Sequence, residues 1–144
     1  MKWVALVTWV LTAGGGFVML GLWLKNGGMR QGDQAGDRIR PPRILSHFAL
    51  AVVGLVLWII YVAADEDALA WAAFVLLAIV ALLGFSMLFI WLRQGSHKRV
   101  AAGGATGEPV PAERHFPNII VAGHGVLAAT TLVLAFLVAV GVGE

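Results

Sequence analysis

The chain has 144 residues, of which 60% are hydrophobic and only 12% charged, with a mean hydropathy of +0.87. Soluble domains carry about 25% charged residues, so the solvent of this surface has to be lipid. The absence of cysteine excludes disulfides, iron–sulfur clusters and thiolate chemistry, and a net charge of +2 gives no footing for a nucleic-acid partner.

Four apolar runs follow one another along the chain: Trp3 to Leu24, Ile44 to Ala64, Ala68 to Leu92 and Phe116 to Val142. Each is longer than the roughly 18 residues that mark a transmembrane helix, and none holds a formal charge. Backbone polar groups in lipid have to be satisfied internally, which makes helices the expected solution. The expectation is an all-α, polytopic protein: one membrane domain over residues 1–144, folded as a four-transmembrane-helix up-and-down bundle. Lys2 before the first run resembles the start of a secretory signal. The apolar stretch is too long for a signal core and has no small-x-small cleavage site, so it reads as a retained span.

Charge placement gives the orientation. The loop over 25–43 carries Lys25, Arg30, Arg38, Arg40 and Arg43, and the loop over 93–115 carries Arg93, Lys98, Arg99 and Arg114, which together are nine of the ten basic residues. The opposite side has Lys2, the turn Asp65-Glu66-Asp67 and Glu144. By the positive-inside rule both basic loops face the cytoplasm and both termini face outward across the plasma (inner) membrane. Both loops are rich in Gly and lack apolar periodicity, so they are expected to be flexible unless they dock against something. No internal repeat is visible. The acidic turn offers too few ligands for a divalent cation and reads as topological, with Asp67 capping the third helix.

Two of the four histidines, His97 and His115, belong to the second basic loop and read as solvated. His47 and His124 lie within spans. His47 is four residues past Arg43 and His124 seven past Pro117, depths of about 6 and 10 Å from the same side at 1.5 Å per residue. Helices two and four run parallel and are diagonal in an up-down bundle, so the two imidazoles are expected to face each other across its interior. That arrangement suits axial ligation of a heme iron. Small residues on the same stretches, Gly123, Gly125 and Gly54, with Gly14, Gly15 and Gly16 on helix one and Gly84 and Ser86 on helix three, would admit a flat macrocycle, and Arg43 and Arg114 would pair with its propionates. Small residues in membrane helices equally signal close packing, and a buried histidine can be a simple interhelical donor. No intramembrane carboxylate supports a pump, and no nucleophile–base or catalytic-metal pattern supports an enzyme acting alone.

At His47 and His124 the chain resembles the four-helix membrane cytochromes b and the heme-bearing anchor subunits of respiratory dehydrogenases, although it lacks the second histidine pair of the two-heme forms. The resemblance implies a bacterial respiratory-complex subunit that binds one heme b between helices two and four. It would serve electron transfer or anchoring beside a redox enzyme, with quinone as exchange partner. Separately, "AERHFPNIIVAGHGVLAATTLVLAFL" is similar to segments of small membrane proteins from high-GC bacteria, actinobacteria above all, a likeness that implies no activity. Two further readings stand beside the heme. One is a cofactor-free accessory subunit that stabilises a larger membrane complex, or its own oligomer, by helix packing; the other is a small transporter or lipid-binding protein.

Overall fold

In the computed structural model, residues 1–30, 38–94 and 110–142 are described. They form four helices, α1 (Lys2–Lys25), α2 (Pro41–Ala64), α3 (Asp67–Arg93) and α4 (Asn118–Ala139), with a 3-10 turn over Ala112–His115 before α4. The shortest, α4, has 22 residues, about 33 Å at 1.5 Å per residue, which spans a hydrocarbon core of roughly 30 Å. All four are long and apolar enough to cross a membrane, and the protein is a polytopic four-helix bundle. His97, Lys98, Arg99 and Glu144 lie outside the described residues.

Local chemistry sets the helix ends. Pro41 and Pro42 open α2, where the missing N–H groups cost nothing. α1 and α4 both end in Schellman motifs. Gly27, at φ +80°, sends its N–H to the Leu24 carbonyl while Gly28 N–H reaches Trp23. Gly141, at φ +81°, and Val142 repeat the pattern on Val138 and Leu137. Between α2 and α3 there are only Asp65, in the left-handed region at φ 58°, and Glu66. Glu66, not Asp67, is the N-cap of α3, and it makes no side-chain capping bond. Asp67 is the first helical residue, where its charge faces the positive end of the helix dipole. Lys2 forms an ion pair with Asp65 and lies over the Tyr61 ring.

The broad seams are α1 against α4 and α2 against α3, closed into a ring by α3–α4 and α1–α2 contacts. α2 and α4 therefore stand on one diagonal. Two apolar clusters fill the interior. Towards the acidic turn, Trp9, Trp58, Tyr61, Ala73, Leu77 and Ala135 pack together, the Trp9 and Trp58 rings 5.9 Å apart. Towards the basic loops, Trp23, Ala112 and Phe116 pack with Met19, Ile44, Trp91 and Val121 around them. Val7, Phe17, Leu82, Phe89, Ile119 and Val126 point outward, as a lipid-solvated surface requires.

Where it is described, the second basic loop docks against the bundle. Ala112 and Glu113 are buried, and the 3-10 turn packs on α1. At the other edge of this plug, Gly28 has no room for a side chain, because a Cβ would overlap the Trp23 indole. Gly28→Ala is expected to expel that indole and lower stability by about 1–3 kcal/mol. Thermal unfolding in detergent, followed by near-UV circular dichroism of the tryptophans, checks this.

Candidate functional site

His47 and His124 meet in the interior, in the layer between the two apolar clusters. Their ring centroids are 6.5 Å apart and the planes are inclined by 57°. Val121 and Ile44, one helical turn before each histidine, belong to the cluster at the loop end. Thr131 and Ala135, two and three turns beyond His124, are buried toward the other cluster.

Each imidazole is held by a backbone carbonyl of a neighbouring helix. His47 Nδ1 lies 3.0 Å from the Val80 carbonyl on α3, and His124 Nδ1 lies 2.9 Å from the Thr12 carbonyl on α1. A carbonyl only accepts, so both rings carry their proton on Nδ1 and donate it. The Nε2 lone pairs are left available, and among the described residues neither has a hydrogen-bond partner. Metal-bound histidines are commonly held this way, with one ring nitrogen donating to a carbonyl while the other is left for the metal.

Glycines border the rings, though not the ones beside His124 in sequence. A Cβ on Gly15 or Gly16 of α1 would come within 3.4 Å of His124, and one on Gly84 of α3 within 3.3 Å of His47 Cε1. Gly123 and Gly125 have no neighbour within 4 Å of a Cβ, and Gly125 is exposed. Gly54 lies two turns past His47 in the next layer, where a Cβ would come within 3.2 Å of the Trp9 ring. Arg43 stands one turn before His47 at the mouth of α2, half-buried. Arg114 lies on the 3-10 turn, its Nε buried and without a hydrogen-bond partner. Beside the histidines, Thr12 and Thr131 place their hydroxyls 3.4 Å apart across the α1–α4 seam, each also bonded to its own helix backbone.

The donor set bears on what the pair can hold. Among the described residues no group of three or more His, Cys, Asp or Glu side chains is placed to bind a metal ion. A bare transition metal normally takes three or four protein ligands. Two opposed imidazoles suit a metal whose other ligands come from a macrocycle. His47 and His124 would hold such a group through Nε2, the ring nitrogen that neither carbonyl uses. An arginine with a buried, unpaired Nε fits a carboxylate ligand at the loop end.

Glu113 is the polar residue that sequence reasoning passed over. Its side chain is 1% exposed, and Oε1 accepts from the Ile39 N–H and from Gln94 Nε2, each at 2.8 Å. Its backbone carbonyl accepts from the Trp91 indole at 3.1 Å. The only cue in the sequence is an acidic residue, one of two in the second basic loop, close to an aromatic span end.

No protein family, no curated protein and no solved structure matches the chain.

The two sets of glycines should respond differently to a methyl group. Gly84→Ala is expected to push on His47 and lower stability by about 1 kcal/mol. Gly123→Ala meets nothing and should be neutral or stabilising by about 0.5–1 kcal/mol. Thermal melts of the two variants in the same detergent compare them directly.

Proposed function

We propose that this protein is a membrane-embedded electron-transfer or anchoring subunit that binds one heme b between His47 and His124. The observation that carries the reading is the facing pair of imidazoles, each anchored through Nδ1 and each with Nε2 unpartnered. A heme iron held by two histidines supplies reversible one-electron transfer in this site. The chain's own residues do the rest. The Val80 and Thr12 carbonyls hold both rings in the ligating tautomer. The two apolar clusters keep water from the layer between them. Arg43 and Arg114 supply cations for propionates at the loop end.

In this reading the basic loops face the cytoplasm and both termini face outward. The heme then lies in the cytoplasmic half, where a redox enzyme and a membrane quinone are the natural exchange partners. The rival is a cofactor-free accessory subunit. It is favoured by the same two histidine bonds, which tie α4 to α1 and α2 to α3 and so serve packing by themselves.

The visible spectrum of detergent-purified protein, expressed with ample heme and recorded before and after dithionite, separates the two. A Soret band with sharp reduced α and β bands is expected, and His47→Ala or His124→Ala should abolish the low-spin signature. A flat spectrum from folded protein rejects the heme and leaves the accessory subunit.

A further inference from the structure

We infer that Glu113 is the latch that keeps the loop end of the bundle closed over the histidine layer. The latch closes the plug whether or not a cofactor is bound. The plug is made of Trp23 from α1, Ala112 from the 3-10 turn and Phe116 at the entry to α4, with Ile44, Trp91 and Val121 against it. These residues come from every helix of the bundle, and Ile44 and Val121 lie directly beneath His47 and His124 in their helices. Apolar contact alone leaves such a plug free to slide. Glu113 supplies the directional part.

Its carboxylate accepts from Ile39, the residue before the N-cap of α2, and from Gln94, the C-cap of α3. Its own carbonyl takes the Trp91 indole. One buried side chain thus fastens the entry of α2, the exit of α3 and the turn that leads into α4. Buried hydrogen bonds of this kind are costly to break singly, because the abandoned donor stays out of water. Both donors to the carboxylate also stand at the inner ends of the two basic loops. A force applied to either loop therefore reaches Glu113 before it reaches the histidines, and releasing the latch exposes the layer to water from this side.

The chain has no cysteine, so a single engineered thiol reports on the plug without background. Val121→Cys places it inside the plug, outside the histidine layer, and His115→Cys gives an exposed reference. Labelling by a membrane-impermeant maleimide is measured in the purified full chain. V121C is expected to label at least tenfold more slowly than H115C. Adding Glu113→Leu should raise the V121C rate at least tenfold and leave H115C within twofold. Glu113→Gln should stay within twofold of its parent, because the amide oxygen accepts the same two bonds. Gln94→Ala, which removes one of them, should raise the rate at least threefold. A folded E113L that labels as slowly as V121C alone overturns the latch, as does an E113Q as open as E113L. If E113L does not fold, Q94A decides: no acceleration there overturns it. Heme content is read separately from the Soret band, so a colourless protein with a working latch rejects only the cofactor.

Discussion

Everything in the interior is organised around one constraint: an imidazole placed in hydrocarbon has to find a partner, and here the partner is a carbonyl already used by its own helix. A backbone oxygen has two lone pairs, so Thr12 and Val80 can accept a second bond without releasing the helical one. Each such bond fixes more than a side chain. It sets the rotation of α4 against α1 and of α2 against α3, because Nδ1 reaches its carbonyl only from one face. Apolar contact between membrane helices has no such preference, since lipid tails offer similar surface. Gly15, Gly16 and Gly84 follow from this geometry, as the places where a helix has to come close enough to lend its carbonyl.

The outline of the fold was legible because lipid imposes simple rules. Four uncharged runs of spanning length leave few alternatives, and helix bounds read from charge and proline agree with the structure to within a few residues. The facing of His47 and His124 was legible too, from depth and the diagonal of an up-down bundle. The glycines that make room for them were visible on helices one and three, but not which histidine each would meet. Gly123 and Gly125 drew attention by flanking His124, yet residues one position away on a helix are rotated by about 100° and face elsewhere. The residues in contact come from α1 and α3, and a single sequence has no means of pairing them. Glu113 was hidden for a similar reason. Its partners, Ile39 and Gln94, are 74 and 19 residues away, and a charged residue in a Gly- and Pro-rich loop has the composition of a solvated one.

The interior is divided unevenly. On the side of the acidic turn, the cluster of Trp9, Trp58 and Tyr61 is built from helix interiors, beside the single two-residue connection Asp65-Glu66. On the other side, the plug depends on residues outside the spans: Ala112 and Phe116 from the approach to α4, held by a carboxylate bonded to the entry of α2. The histidine layer thus has one wall made of the bundle itself and one made partly of loop. For any chemistry conducted at the imidazoles, the second wall is the one through which water or a partner can be admitted.

The placement of the seams also has a consequence for how the protein is made. α2 and α3 are joined by two residues, Asp65 and Glu66, and pack along one broad seam, so they can enter the bilayer as a finished hairpin. The other broad seam joins α1 to α4, the first and last of these four helices in chain order, and its bond from His124 to Thr12 spans 112 positions of sequence. Until α4 arrives, α1 has its lesser contacts with α2 and the 3-10 turn, and the Thr12 carbonyl has no imidazole to receive. The two histidines therefore come together only once α4 has inserted, and until then the α2–α3 hairpin stands beside an unfinished centre.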